Sequence, residues 1–131
     1  MTTLTRWVSS LGLMAALILT GCTSPGEPAT LEEKLAKHGF AQGEAIREVK
    51  NYRIDGWNYL DTEHLIFSAG PSGDYMVTLS QSCTDLRSAE DIAFTSTNNN
   101  LTAFESVVVA TPTGRRRCPI ESLHTLSKLA P

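Results

Sequence analysis

Residues 52–80 read YRIDGWNYLDTEHLIFSAGPSGDYMVTLS and hold the clearest β pattern in the chain. Three short apolar or alternating runs lie at residues 52–60, 64–68 and 75–80. The segment Asp61-Thr62-Glu63 separates the first two runs, and acids are favoured in such turns because they form local hydrogen bonds. Gly70-Pro71-Ser72-Gly73 separates the last two and suits a hairpin turn, since glycine tolerates positive φ. This pattern predicts three consecutive antiparallel strands.

Similar short runs continue on both sides of this segment. They lie at residues 45–49, 92–96, 101–109 and 118–126. Asn98-Asn99-Asn100 is typical of a hairpin turn. About six or seven short antiparallel strands at this spacing predict a small closed sheet, barrel or roll, in which edges are removed.

One short helix is predicted before the strands. Thr30 and Glu33 have the spacing of a capping box, in which each residue satisfies a backbone donor of the other. Leu31 and Leu35 lie one turn apart, and Gly39 suits the position after the helix. The sequence therefore predicts a mostly β fold with one N-terminal helix.

Length and charge limit the classes of function. The 131 residues fit one globular domain, with 41% hydrophobic residues and a formal net charge of −3. A general nucleic-acid binder needs net positive charge to displace counterions from phosphates, so this class is excluded.

The first segment of the chain is predicted to be a signal peptide. Residues 7–19 carry no charge and follow Arg6, but they are shorter than the roughly 20 residues that span a bilayer. An uncleaved anchor is the alternative.

The apolar run ends in a motif that resembles a bacterial lipobox, Leu19-Thr20-Gly21-Cys22. This resemblance implies lipidation of the Cys22 sulfur, cleavage after Gly21 and acylation of the new amino terminus. Position 23 is threonine and not the aspartate that is associated with retention in the inner membrane. This implies that the mature protein lies on the periplasmic face of the outer membrane. The predicted organisation is a signal peptide at 1–21, a lipidated tether at 22–29 and a β-rich domain at 30–131. A secreted protein with an incidental Cys22 is the alternative.

Cys83 and Cys118 remain once Cys22 is assigned to the lipid. An even pair in an oxidising compartment predicts a disulfide. A reactive thiol or a metal ligand is the alternative, although neither cysteine has a partner at Cys-x-x-Cys or metal-ligand spacing.

The spacing of several motifs resembles a family of small uncharacterised proteobacterial lipoproteins. The motifs are Ile54-Asp55-Gly56-Trp57, Tyr75-x-Val77-x-Leu79, Cys83-x-x-Leu86 and Arg117-Cys118-x-Ile120-x-x-Leu123. The resemblance supports a lipoprotein with a disulfide and implies no catalytic residue.

Two clusters are candidate functional sites. Asp61 or Glu63 could pair with His64 as a general base for hydrolysis, although a solvated turn explains the same residues. Arg115, Arg116 and Arg117 are expected in a loop before the strand at Cys118, where guanidinium groups could bind phosphate or carboxylate, although solvated loop arginines explain the same residues. No cofactor or metal site is predicted, because His38, His64 and His124 are widely spaced.

The sequence thus predicts a non-enzymatic binding or structural module of the cell envelope, anchored in the membrane by lipid. Its expected partner is an envelope protein, lipopolysaccharide or peptidoglycan. The alternative is a small periplasmic hydrolase that uses Asp61 and His64 or a reactive cysteine.

Overall fold

The computed structural model describes residues 28–130, in which one α-helix precedes nine strands. The helix is α1 (Leu31–Lys37), and the strands are β1 (Phe40–Ile46), β2 (Glu48–Val49), β3 (Gly56–Asp61), β4 (His64–Ser68), β5 (Asp74–Leu79), β6 (Asp91–Phe94), β7 (Leu101–Thr102), β8 (Ser106–Thr111) and β9 (Gly114–Lys128). The predicted signal peptide, the lipobox with Cys22 and the tether up to residue 27 lie outside the described residues.

The strands form a curled, antiparallel half-barrel sheet. Its order is β3-β4-β5-β9-β8-β6, and β1 pairs with β9 beside this path. The two-residue strands β2 and β7 pair with each other in a separate small ladder. The mostly β fold with one short helix is confirmed.

Strand β9 is the strand that connects the two parts of the sheet. Its 15 residues pair with β8 through the first part and with β1 and β5 through the rest. Side chains alternate between faces along a strand, and strand β4, which pairs with β5, shows how this divides the core. Leu65 and Phe67 lie in the larger hydrophobic cluster, whereas Ile66 lies in a smaller one on the opposite face.

The smaller cluster is covered by α1. Leu35 is fully buried there against Leu60, Ile66 and Met76. The helix begins as predicted, because Thr30 accepts a hydrogen bond from the Glu33 amide while Glu33 accepts one from the Thr30 amide. It ends before Gly39, whose φ of +82° is easily adopted only by glycine.

Three predicted β elements are wrong. The run at residues 45–49 is not one strand, because a bend at Arg47 separates the end of β1 at Ile46 from β2 at Glu48–Val49. Asn98-Asn99-Asn100 does not form a hairpin turn, because β6 pairs with β8 and β7 pairs with β2. The run at residues 101–109 is not one strand either, since a turn from Thr102 to Glu105 separates β7 from β8. The hydrogen bond from the Glu105 amide to the Thr102 carbonyl, 3.2 Å long, closes that turn.

Candidate functional site

The arginine segment lies in a strand and not in the predicted loop. Arg115 pairs with Ala110 and Arg117 pairs with Val108, so all three arginines belong to the first part of β9. The turn before them closes between Thr111 and Gly114, where Gly114 adopts a φ of +144°. The prediction failed because arginines favour solvent, and a strand that extends past the core keeps both of its faces in solvent.

Strand alternation divides the three arginines between two faces. Arg116 lies on the side of the buried residues Cys118 and Ile120, and its Nε forms an ion pair with Oδ2 of Asp85. Arg115 and Arg117 lie together on the outward face. Both are exposed, and within residues 28–130 neither forms an ion pair. The candidate anion-binding surface therefore consists of Arg115 and Arg117, with Arg116 held by a carboxylate.

A depression of about 100 Å³ adjoins Arg117. Its lining residues are Gln81, Ser82, Cys83, Thr84, Arg116, Arg117, Cys118 and Pro119. Hydroxyl, amide and guanidinium groups are all hydrogen-bond donors, and an oxyanion accepts from each of them. This lining is chemically suited to a phosphate or carboxylate group.

A second depression, of about 120 Å³, adjoins Arg115 on the outward face of the sheet. Its apolar lining residues are Ile92, Ala93, Val108 and Ala110, and Asp91 adds one carboxylate to the lining. Small side chains on the paired strands β6 and β8 leave this space beside the arginine. A flat ligand could therefore lie on the sheet while Arg115 contacts its charged group.

The predicted cysteine pair lies behind this surface. The Cys83 and Cys118 sulfurs are at disulfide-bonding distance, and their Cα atoms are 6.1 Å apart, within the range of disulfides. Both residues are buried in the larger core cluster. The pair links β9 to the 3-10 turn at Thr84–Ser88, which carries Asp85, so it fixes the position of the Arg116 partner.

The structure also brings together the second predicted cluster, which consists of Asp61, Glu63 and His64. Oδ1 of Asp61 lies 2.8 Å from Nδ1 of His64 and accepts a 2.8 Å hydrogen bond from the Glu63 amide. Oδ2 of Asp61 accepts a 3.0 Å hydrogen bond from Nζ of Lys34 on α1. Both carboxylate oxygens are thus used within the protein, and Glu63 contributes its backbone and not its side chain to this cluster.

The environment of Asp61 favours its charged form. Partial burial raises the pKa of this carboxyl, but the hydrogen bonds from the Glu63 amide, Lys34 and His64 together outweigh burial and hold the pKa below its ordinary value. A carboxylate with a lowered pKa is a weak proton acceptor. It can orient the His64 ring, as the acidic member of a catalytic triad does, or simply stabilise the turn.

His64 lacks the other parts of a nucleophilic site. Its side chain is 17% exposed, and in the part of the chain that the structure describes its hydrogen-bond partner is Asp61. No serine, threonine or cysteine side chain hydrogen-bonds to His64 among those residues. His38 and His124 lie elsewhere, at the end of α1 and on β9. The Nδ1 atom of His124 is buried, and no group among residues 28–130 hydrogen-bonds to it.

The aromatic residues of the central strands serve the core. Phe67 is fully buried and packs at ring-centre distances of 5.5 Å from Tyr75 and 5.1 Å from Phe94. Trp57 and Tyr59 are half-buried against the same cluster. These residues therefore do not form an open ligand-binding face.

One exposed feature was not predicted from the sequence. Phe104 lies at the tip of the turn between β7 and β8 and is 99% exposed. A groove of about 330 Å³ lies beside it. No local signal distinguishes this phenylalanine from one that alternates into the core of a strand, because the break at Thr102–Glu105 depends on how the flanking strands pair.

No helix among residues 28–130 is both long and apolar enough to cross a membrane. No curated protein and no solved structure matches the chain. Residues 5–130 match the family of unknown function DUF6491, and this range includes the predicted lipobox and the whole of the described fold. Because this match spans almost the whole sequence, the chain belongs to the DUF6491 family.

Proposed function

We propose that the chain is a lipid-anchored protein of the outer membrane that binds an anionic envelope component without catalysing a reaction. Arg115 and Arg117 are the residues that would make this contact. The observation that carries the proposal is their arrangement, two exposed guanidinium groups on one face of β9 with no carboxylate paired to them among residues 28–130.

The sheet holds the two arginines in a defined arrangement. Residues i and i+2 of a strand are about 7 Å apart. The backbone of Arg115 pairs with Ala110, and that of Arg117 pairs with Val108. A surface that is ordered before binding loses less conformational entropy when the ligand arrives. Guanidinium groups also form paired hydrogen bonds with phosphate or carboxylate oxygens.

The charge of the chain makes this surface distinctive. The formal net charge of the chain is −3, whereas Arg115 and Arg117 form a local cationic patch on this acidic protein. Such a protein does not attract polyanions over its whole surface, and contact depends on the orientation of the patch. Phosphate groups of lipopolysaccharide or lipids, carboxylates of peptidoglycan and an acidic protein segment share the required oxyanion chemistry.

The membrane location is supported by the sequence of the first segment. The lipobox-like motif ending at Cys22 provides a lipid attachment site, and several acyl chains on one residue give stable anchoring. Thr23 favours transfer of the mature protein to the outer membrane over its retention in the inner membrane. On this basis the β-rich part faces the periplasm on a short tether.

The proposal is tested with the full-length, lipidated protein and three anionic probes, namely lipopolysaccharide vesicles, phosphatidylglycerol vesicles and purified peptidoglycan. We expect Arg115→Ser together with Arg117→Ser to weaken binding to one anionic probe at least about tenfold, because charge-assisted hydrogen bonds contribute about 1.5–3 kcal/mol each. The probe that is affected identifies the source of the anion.

Arg53→Ser is the matched control, because it also removes an exposed arginine, whose ion pair with Asp55 is 3.4 Å long. Binding should be unchanged in this variant. Equal binding by the double variant and the unmodified protein, with every probe, would rule out the arginine surface.

A second candidate function follows from the contact between Asp61 and His64. The 2.8 Å distance orients the ring so that Nε2 could accept a proton from water in a small hydrolase. His64→Ala should then abolish hydrolysis of an envelope substrate, with His38→Ala as control. Full activity of the His64 variant would exclude this residue as a base, and thiols at Cys83 or Cys118 that can be alkylated would favour cysteine chemistry instead.

A further inference from the structure

Phe104 is presented to solvent by a well-defined turn. The Phe104 amide hydrogen-bonds Oγ1 of Thr102 at 3.3 Å, and the Glu105 amide hydrogen-bonds the Thr102 carbonyl at 3.2 Å. The ring is nevertheless 99% exposed. Burying such a side chain would be favourable, and this gain is not realised among residues 28–130.

The neighbouring groove is large enough to take an aromatic ring. Its volume is about 330 Å³, and about 150 Å³ is sufficient to hold benzene in a protein cavity. Its lining residues are Ile46, Arg47, Ala103, Phe104, Glu121 and Ser122. The apolar part of the lining exceeds the polar part, so the groove is suited to an apolar side chain.

The rim of the groove carries one charge of each sign. Arg47 and Glu121 are both exposed, and among residues 28–130 neither takes part in an ion pair. A ligand that satisfies both residues must itself present an anion and a cation. It must also present an apolar group between them for the groove.

We propose that two copies of this chain associate through this surface about a two-fold axis. Each Phe104 enters the groove of the other copy, and Arg47 of each copy faces Glu121 of the partner copy. In a two-fold interface the same patch is used on both subunits, so a surface must complement itself. This patch does so, because it contains the apolar projection, the groove and both charges. The inference does not involve Arg115 or Arg117.

The association is tested in cells that express two differently tagged copies of the full chain. Phe104 is replaced by the photo-crosslinker p-benzoylphenylalanine, which retains an aromatic ring at that position. We expect a crosslinked product of twice the chain mass that carries both tags, with the new bond close to Ile46 or Glu121. A product that contains another protein or a lipid, or no product at all, would overturn the proposal.

Charge reversal provides a second, independent test. With the crosslinker at position 104, Arg47→Glu alone and Glu121→Arg alone should each reduce the yield at least about tenfold, because like charges then face each other. The double variant should recover the yield, which a structural defect would not do. Failure of the double variant to recover would contradict the two-fold arrangement.

Truncation of the ring completes the test. Phe104→Ser should abolish co-purification of the two tags, and folding should be retained because the side chain has almost no contacts in one copy. Leu129→Ser is the matched control, since Leu129 is the other large exposed hydrophobic residue of the described chain and does not line the groove. Co-purification that survives Phe104→Ser, or that is lost equally in both variants, would count against this surface.

Discussion

Nζ of Lys34 lies 3.0 Å from Oδ2 of Asp61 and joins α1 to the end of β3. The two side chains are 27% and 25% exposed, so the ion pair is partly protected from water. The other oxygen of Asp61 binds the Glu63 amide and His64, which stabilises the turn from β3 to β4. One carboxylate therefore links the helix to the hairpin that it covers.

This linkage predicts a specific pH dependence of stability. The pKa of Asp61 is lowered in the folded protein from its ordinary value of 3.8, so the unfolded chain binds a proton there more readily. The charged Asp61 carboxylate contributes fully to the free energy of unfolding at pH values well above 3.8. This contribution is lost as the pH falls from 3.8 to the lower pKa of the folded protein. Asp61→Asn should cost about 1–3 kcal/mol at pH 7 and much less at pH 2. Urea unfolding at both pH values measures this, with Asp55→Asn as control. An equal loss of unfolding free energy at both pH values would contradict a role for the Asp61 charge.

The cysteine pair should contribute a large part of the stability. A bond between Cys83 and Cys118 closes a loop with a sequence separation of 35 residues, and the entropy of closing such a loop corresponds to about 3–4 kcal/mol. Reduction, or replacement of both cysteines by alanine, should lower the free energy of unfolding by that amount. Urea unfolding with and without a reductant measures it. Reductant should have no effect on the double variant, and an unchanged midpoint for the native chain would show that the bond is absent.

The proposed lipid anchor gives a prediction about the mass and location of the mature protein. Native protein extracted from membranes, with thiols blocked before analysis, should have the mass of residues 22–131 plus acyl chains. Cys22→Ser should leave an unmodified precursor. Thr23→Asp should shift the mature protein to the inner membrane, whereas Thr23→Ser should leave its location unchanged. Membrane fractionation and intact mass spectrometry check these outcomes, and a native mass without lipid would refute the lipoprotein assignment.

The division of the arginines between two faces predicts different effects of single substitutions. Arg117→Ser should weaken binding of the anionic probe, because this side chain is not paired with a carboxylate among residues 28–130, whereas Arg116 lines the same depression but is held by Asp85. Arg116→Ser should change binding little and alter the free energy of unfolding by about 0–1 kcal/mol, since exposed ion pairs contribute no more. Vesicle or peptidoglycan sedimentation and urea unfolding measure the two properties. Equal losses of binding would show that net charge matters and position does not.

Local features of the fold could be predicted from the sequence. The start of α1 follows from Thr30 and Glu33, which interact across three residues, and β4 has the predicted bounds because polar turns flank it on both sides. The mostly β class follows from the same short-range pattern. In each case the residues that determine the structure are neighbours in the chain.

Features that depend on distant pairing could not be predicted. Arg115–Arg117 form strand because β8 provides a partner, although their composition indicates a loop. Strand β2 pairs with β7 across about fifty residues, and this pairing isolates the turn that exposes Phe104. The candidate site was therefore predicted by residue type, whereas its division between two faces and the groove at Phe104 required the strand register.

The position of β9 determines when this protein can fold. The strand that joins β1, β5 and β8 is the last of the described elements, and it ends at Lys128. During synthesis or export the earlier strands can form isolated hairpins, but the two halves of the sheet have no common partner until β9 arrives. A chain truncated before residue 114 therefore lacks the strand that unites them. The two halves of the sheet therefore stay separate until residues 114–128 are available to pair with β1, β5 and β8.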